Sequence, residues 1–319
     1  MTQNDSRLML EVRGLNKRFG QVHAVNDLDF EVRRGEVFGF LGPNGAGKST
    51  TMRMITCFIP PTSGSVRVDG MDTAGHDLAV RRKIGYLPES TPLYSDMTVS
   101  EYLAFVGRVR GLSGQQLKGR MDAMFSVCAL TKMAGRQIGK LSKGYKQRVG
   151  LAQAMIHDPD LLILDEPMSG LDPNQIIEIR NLIKKMGEEK TVIYCSHILS
   201  EVAATCDRIL IIKDGRIVAT GTPDELTAGH RSGSQYTLRA KGDKAALKSG
   251  LEAVNGVSSV TAGDGQDGWF DLRISTGSKG DIGEEIFSCI VKNGWSLSEL
   301  RRDHTSLEEV FTQLTGGGK

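Results

Sequence analysis

A glycine-rich loop stands between a wholly apolar segment and a segment with helical periodicity. The loop is Gly-Pro-Asn-Gly-Ala-Gly-Lys-Ser-Thr at residues 42–50, and the apolar segment before it is Val37–Leu41. After the loop, Met52, Ile55 and Ile59 recur at helical spacing, and the prolines at 60 and 61 are predicted to end that helix. Glycines let backbone N–H groups surround phosphates, and a helix N-terminus adds a positive dipole. The pattern therefore predicts a phosphate-binding loop rather than a ligand-free turn.

The side chains of this loop predict a nucleoside triphosphate as the ligand. Residues 42–49 match the pattern G-x-x-x-x-G-K-[ST]. We expect Lys48 to reach the β- and γ-phosphates and the hydroxyl of Ser49 to bind Mg²⁺. Kinases, GTPases and ATPases all use such a loop, so the loop alone leaves the reaction open.

A second apolar segment ends in two adjacent carboxylates. Leu161–Leu164 precedes Asp165 and Glu166. At the carboxyl end of a buried strand, one carboxylate can hold Mg²⁺ and the other can polarise an attacking water. We assign these roles to Asp165 and Glu166 respectively. The alternative is an ordinary Asp-Glu pair on the surface.

The order of apolar segments predicts the fold class. Strands alternate with helices before residue 90 and after residue 161, which favours an α/β protein with a largely parallel sheet. Between them, residues 98–158 have mostly helical periodicity, which predicts an inserted helical subdomain at about 90–160. Thr98 and Glu101 form a capping-box pattern, and a further helix is predicted at 146–156.

Composition and hydropathy exclude several classes of protein. The 319 residues carry a net charge of +2, which disfavours a chain that coats nucleic acid, so we expect no nucleic-acid partner. No segment reaches the roughly 20 apolar residues that cross a bilayer, and the polar first residues do not resemble a secretory signal. The five cysteines have no metal-binding or redox spacing and are expected to be reduced thiols.

The last part of the chain predicts a second domain. A Gly- and Ser-containing stretch at 229–235 is a candidate linker. After it the pattern is β-α-β-β-α-β, which predicts a small α+β domain of the ferredoxin-like type, followed by a helix with a capping box at Thr305 and Glu308. We therefore predict domains at 1–229 and 230–319.

Four further motifs resemble those of one family. Leu141–Arg148 resembles the signature peptide of ABC-type ATPases, and Ser169–Asp172 resembles their D-loop. Ser196-His197, at the end of a strand, looks like the switch histidine, and Arg18-Phe19-Gly20 is similar to the element that stacks on adenine. These motifs occur in the family's order over residues 8–228, so the chain is identified as a member on sequence grounds.

The resemblance implies a P-loop ATPase that closes as a head-to-tail homodimer around two ATP molecules with Mg²⁺. In it, Phe19 would contact adenine, Ser142 and Gly144 would contact the γ-phosphate held by the other subunit, and Asp172 would order the interface. His197 would hydrogen-bond the γ-phosphate and the attacking water, and Lys48 and Glu166 would complete the catalytic set. The remaining phosphate contacts implied are Gly42, Asn44, Gly45, Gly47, Ser49 and Thr50.

Two departures from the family pattern indicate a subgroup. Glu89 stands where Gln is usual and could still bind Mg²⁺ through an oxygen, although it adds negative charge. Lys143 and Tyr145 replace the commoner Gly and Gln in the signature peptide. With these features the chain is similar to ATPase subunits of bacterial multidrug and gliding-motility-type exporters.

That similarity implies a cytoplasmic subunit, held at the inner face of the cell membrane by a separate integral-membrane permease. The alternatives are a soluble ABC ATPase that acts on DNA or ribosomes, and an importer ATPase whose C-terminal domain is regulatory. The transported substrate and the role of the C-terminal domain are not predicted by the sequence.

Overall fold

The computed structural model describes residues 8–229, 235–277, 281–303 and 307–316. The chain forms two compact units. The first unit comprises the residues up to Pro223 and those from Leu314 onward, and the second comprises Asp224–Gln313. Most of the candidate linker and the predicted cap at Thr305 lie outside the described residues.

The first unit contains a parallel sheet that carries the predicted phosphate loop. Its strand order is β10-β9-β3-β8-β7-β6, in which all neighbours are parallel except β9 and β10. The central strands are buried along their whole length, as expected for a sheet covered on both faces. The bounds are β3 (Val37–Leu41), β6 (Ile84–Leu87), β7 (Leu161–Asp165), β8 (Thr191–Ser196), β9 (Arg208–Lys213) and β10 (Arg216–Gly221).

A second, antiparallel sheet of the same unit has the order β2-β1-β4-β5. Alternate residues of its long strands point into a core that they share with β3 and the first helix. Asp69 and Gly70, both at positive φ, close the hairpin between β4 and β5. The bounds are β1 (Leu8–Phe19), β2 (Val22–Arg33), β4 (Ser63–Val68) and β5 (Met71–Asp72).

Helices cover the parallel sheet and form the helical segment between β6 and β7. The predicted capping box is present, because the side chain of Thr98 accepts from Glu101 N–H and the Glu101 carboxylate accepts from Thr98 N–H. The bounds are α1 (Lys48–Ile55), α2 (Asp77–Lys83), α3 (Val99–Val109), α4 (Gly114–Val127), α5 (Lys143–Met155), α6 (Pro173–Gly187) and α7 (Leu199–Ala203). Helix α8 (Pro223–Gly229) lies in the second unit apart from its first residue.

Two predicted helix boundaries are wrong. The helix after the phosphate loop ends at Ile55 instead of reaching Pro60, because Cys57 takes a positive φ of 58° and the N–H groups of Phe58 and Ile59 turn back to the Arg53 carbonyl. The helix expected from residue 146 already begins at Lys143, because Ser142 caps it.

The second unit is built on an antiparallel sheet with the order β12-β13-β11-β14. Leu238, Leu272 and Ile274 of the sheet are fully buried with Leu247 and Ile286 of its helices. The bounds are β11 (Gln235–Lys241), α9 (Lys244–Glu252), β12 (Val257–Gln266), β13 (Trp269–Thr276), α10 (Gly283–Lys292) and β14 (Ser296–Asp303), with α11 (Leu307–Gly316) after them.

Candidate functional site

The phosphate loop joins the carboxyl end of β3 to the first turn of α1. Gly45 and Gly47 have φ values of 80° and 102°, in a region that residues with a Cβ rarely adopt. Gly47 is the N-cap of α1, so the N–H groups of the first helical turn, which starts at Lys48, have no acceptor within the helix. Such N–H groups and the helix dipole together attract an anion.

Lys48 is held by the loop's own carbonyl groups. Its Nζ atom donates to the Gly42 carbonyl at 2.7 Å and to the Pro43 carbonyl at 3.3 Å, and it lies 3.7 Å from Oε1 of Glu166. The lysine side chain is only 7% exposed. A buried ammonium in this position places its charge between the loop and the end of β7.

Asp165 and Glu166 lie at the carboxyl end of β7, as the sequence predicts for a strand followed by two carboxylates. Burial raises the pKa of Asp165, the neighbouring carboxylates Glu166 and Glu89 raise it further, and a hydrogen bond with Ser49 opposes them. The Oδ1 atom of Asp165 is buried without a hydrogen-bond partner. A buried, orphaned carboxylate oxygen beside a hydroxyl is suited to a hard cation.

Glu166 is held in an unusual backbone conformation, with φ at 50°. Its N–H donates to the Cys195 carbonyl at 2.9 Å, so the neighbouring strand β8 fixes it there. Its Oε1 atom lies 2.9 Å from Nδ1 of His197, and its Oε2 atom accepts from the Ser196 hydroxyl at 3.3 Å. A strained residue whose side chain is fixed by several partners is typical of an active site.

One pocket of about 510 Å³ collects most of the predicted site residues. Three neighbours that were not predicted to bind the ligand, Ala24, Ala46 and Ser169, also line it. Ser169 belongs to the D-loop motif, so its motif was the available signal, whereas nothing in the sequence pointed to Ala24. The predicted residues that line it are Asn44, Gly45, Gly47, Lys48, Ser49, Thr50, Glu89, Glu166 and His197.

Three residues predicted to bind the nucleotide or Mg²⁺ of their own subunit, Gly42, Phe19 and Asp165, do not line this pocket. Asp165 is buried at the end of β7. The N–H of Gly42 donates to the Ser196 carbonyl at 3.3 Å, so it is turned away from the pocket, and Gly42 acts as the anchor of Lys48 instead. Phe19 is half-exposed at the end of β1, with the ammonium of Lys17 5.2 Å from its ring centre. A flat, accessible aromatic face is suited to stacking.

Ser142, Gly144 and Asp172 form a second cluster, and none of them lines the pocket. Ser142 caps α5, and Asp172 caps α6 by accepting from Gln175 N–H at 2.9 Å. Gly144 packs against the amide end of the Gln175 side chain, which lies 2.6 Å from the position of a Cβ built on Gly144. The signature peptide and the D-loop therefore meet at Gln175, with Ser142 and Asp172 exposed to solvent.

The chain is similar to known ABC transporter proteins. The model of the ABC transporter family matches residues 25–169. The linearmycin resistance ATP-binding protein LnrL of Bacillus subtilis is 33% identical over 97% of this chain and 98% of its own length. The bacitracin transport ATP-binding protein BcrA of Bacillus licheniformis is 32% identical over 97% of this chain and 98% of its length.

A solved structure is similar in fold to about two thirds of the chain. It is the dimeric post-hydrolysis state of the ATP-binding cassette MJ0796 bound to ADP and Pi. The two share 27% identity with a TM-score of 0.61, over 67% of this chain and 98% of that one. The chain belongs to the ABC transporter family, as an ATP-binding and ATP-hydrolysing subunit of a transporter.

Proposed function

We propose that this subunit drives export through a separate integral-membrane permease, using ATP hydrolysed at the pocket of the phosphate loop. The observation that carries the proposal is the position of Glu166, whose carboxylate faces His197 at 2.9 Å and Lys48 at 3.7 Å in a pocket lined by the loop. The names of LnrL and BcrA, which refer to antibiotic resistance and transport, favour export over import or a soluble role.

Mg²⁺ fits the residues present. Within the described ranges, no group of three or more His, Cys, Asp and Glu side chains could hold a metal alone. A nucleotide-bound Mg²⁺ needs only one or two protein carboxylates, because phosphates and waters supply most of the other ligands. Ser49, Asp165 and Glu89 are the proposed ligands, and the unpartnered Oδ1 of Asp165 supports this. When bound, the ion neutralises charge on the β- and γ-phosphates.

The side chains of the pocket have separate roles in the proposed reaction. The first-turn N–H groups of α1 and the ammonium of Lys48 hold the phosphates. Glu166 accepts a proton from the attacking water, and its position next to His197 lets the imidazole bind the same water or the γ-phosphate. Fixing these groups before ATP arrives lowers the cost of orienting the water in the transition state.

The second cluster supports a head-to-tail homodimer. Ser142, Gly144 and Asp172 sit on the first turns of α5 and α6, outside the pocket of their own subunit. A helix start with an exposed hydroxyl is suited to an anion, and the phosphate of an ATP on another copy is the proposed one. Phe19 is proposed to stack on the adenine. The dimeric state of MJ0796 supports the arrangement.

A groove of about 700 Å³ in the first unit is the proposed contact for the permease. Phe58, Leu78 and Val109 line it and are 75%, 68% and 69% exposed, which is unusual for large apolar side chains. Tyr86, three residues before Glu89, also lines it, so movement there can reach the metal site. None of the helices in the described ranges has the length and apolarity that a membrane crossing requires. We propose that the permease holds the subunit at the cytoplasmic face of the membrane.

The domain boundaries near residue 229 remain a proposal. The β-α-β-β-α-β order of the second unit and its all-antiparallel sheet support a ferredoxin-like accessory domain at about 230–319. LnrL and BcrA align along nearly the whole chain, so this part also aligns with these relatives.

The central test is the substitution Glu166→Gln. It keeps the shape of the side chain but removes the proton acceptor, so ATP hydrolysis should fall about 10²- to 10⁴-fold while ATP binding remains. ATP should also hold the dimer for longer, which size-exclusion chromatography would detect. Glu188→Gln, an exposed carboxylate on the same unit, is the matched control. Near-normal phosphate release by the Glu166 variant would contradict the assignment.

The permease contact has its own test. Leu78→Asp places a charge on an exposed apolar residue of the groove, so the fold and the basal ATPase rate should remain. Co-purification with the co-expressed permease and stimulation of the ATPase by that permease should both be lost. Unchanged co-purification would place the permease elsewhere.

A further inference from the structure

A buried hydroxyl lies between the proposed base and a second carboxylate. Ser196, the last residue of β8, is fully buried. Its Oγ atom lies 3.3 Å from Oε2 of Glu166 and 3.2 Å from Oε2 of Glu201, and it accepts the Ile198 N–H at 3.1 Å. A serine hydroxyl has one proton to donate. It can therefore donate to Glu166 or to Glu201, but not to both.

Glu201 has a second donor. The hydroxyl of Tyr194, on the same strand as Ser196, donates to Oε2 of Glu201 at 2.9 Å. Burial, and after it the Glu201 carboxylate, raise the pKa of Tyr194, so this hydroxyl keeps its proton. Because Tyr194 already donates to Glu201, that carboxylate depends less on the Ser196 proton, and Glu166 can accept it.

We propose that Ser196 is a positioning residue for Glu166, and that the pair Tyr194–Glu201 directs the Ser196 proton toward that base. This rests on the proposed role of Glu166. With Ser196 bound to Oε2, the carboxylate cannot rotate freely, and its Oε1 atom stays beside His197. Neither Tyr194 nor Glu201 lines the nucleotide pocket, so both act through Ser196.

The backbone conformation of Glu166 makes its hydrogen bond with Ser196 important. Glu166 has a φ of 50°, a strained conformation that persists only where the surrounding structure holds it. A general base must lie within hydrogen-bond reach of the water it deprotonates, and a misplaced base loses much of its effect. Ser196 supplies the orientation from the neighbouring strand.

The first experiment replaces Ser196 by alanine in the full chain. We expect kcat for ATP to fall about tenfold, which corresponds to about 1.4 kcal/mol of activation free energy, with KM for ATP changed less than about twofold. Thr191→Val is the matched control, because Thr191 is also a buried hydroxyl on β8 and accepts from Gly35 N–H at the other end of the strand. A purely structural loss should affect both variants equally, and equal kcat values would overturn the proposal.

The second experiment tests the direction of the proton. Tyr194→Phe leaves Glu201 without its donor, so Glu201 should compete for the Ser196 proton and kcat should fall about threefold. In the double variant Tyr194→Phe, Glu201→Gln, the amide introduced at position 201 can donate to Ser196 Oγ. The Ser196 hydroxyl then donates its own proton to Glu166 again. We expect kcat of the double variant within about twofold of the wild type.

The outcomes separate the two proposals. If the double variant is no faster than Tyr194→Phe alone, the assignment to Tyr194 and Glu201 is wrong. If Glu166→Gln hydrolyses ATP at the wild-type rate, the proposed base is wrong, whatever the Ser196 variant does. If Glu166→Gln is inactive and Ser196→Ala is fully active, only the positioning role fails.

Discussion

Gly47 offers a prediction whose size can be worked from the structure. Its φ is 102°, and a Cβ built on it would lie 2.5 Å from the carbonyl oxygen of Ala24. Gly215 approaches the same carbonyl group, because a Cβ on Gly215 would lie 2.9 Å from that oxygen. The N–H of Asn26 is also bonded to the Gly215 carbonyl at 2.8 Å, so β2 cannot easily move away.

The substitution Gly47→Ala therefore has two costs. A residue with a Cβ in left-handed backbone costs about 1–2 kcal/mol, and overpacking against backbone that cannot move costs about 1–3 kcal/mol. We expect a loss of about 2–5 kcal/mol in the free energy of unfolding of the first unit. Gly70→Ala is the matched control, because Gly70 has a φ of 73° in the hairpin and no atom within 4 Å of a built Cβ. Gly70→Ala should have only the cost of placing a Cβ in left-handed backbone, without the cost of overpacking.

Urea unfolding can separate these effects. Far-UV circular dichroism follows the whole chain, whereas both tryptophans, Trp269 and Trp295, lie in the second unit and report on that unit. Gly47→Ala should shift the dichroism transition more than Gly70→Ala does, and nucleotide binding should be lost only in the former. Equal shifts for the two variants would show that the contact with Ala24 is relieved at no cost, and would refute the steric argument.

The cap of α6, the proposed metal ligand Asp165 and the buried His157 can each be tested by a single substitution. Asp172→Ala removes the cap of α6 and should lower the free energy of unfolding in urea by about 1 kcal/mol. The same substitution should weaken the ATP-dependent dimer, which size-exclusion chromatography would detect. Asp165→Asn should weaken Mg²⁺-dependent more than Mg²⁺-free ATP binding in calorimetry, and equal losses would argue against its role as a ligand. Burial, and after it the charge of Arg110, lowers the pKa of His157 to about 4. The neutral imidazole therefore contributes stability that is fully present above pH 6.5 and should be lost as the pH falls toward about 4. The variant His157→Gln should flatten that pH profile of unfolding, whereas His76→Gln, at an exposed site, should not.

The order of the main elements in the first unit could be predicted because each has a local cause. The apolar segment 37–41 forms a buried strand, glycines allow the loop, and Thr98 caps its helix with Glu101. The errors lie at helix ends, which hydrophobic spacing does not define. The helix after the loop ends early because Cys57 leaves helical conformation, although Ile59 continues the helical spacing.

The site was predictable as a set of motifs but only partly as a set of contacts. Gly42 belongs to the phosphate-loop motif, yet its N–H is bonded to Ser196 from another strand. Ala24 lines the pocket because β2 passes over the loop, and no pattern around Ala24 indicated this. Glu201 contacts Ser196 across the turn that contains His197, and its sequence neighbourhood resembles that of any exposed helix start.

The sequence by itself determined the family, the nucleotide loop and the paired carboxylates, because those depend on residue types at fixed spacings within short segments. Only the tertiary structure decided which atoms face each other at the site. Parallel pairing of β7 with β8 brings Glu166 next to Ser196 and His197, residues about thirty positions later in the chain. Such contacts depend on how strands are ordered and registered across the sheet, and that order is set by the packing of the whole unit.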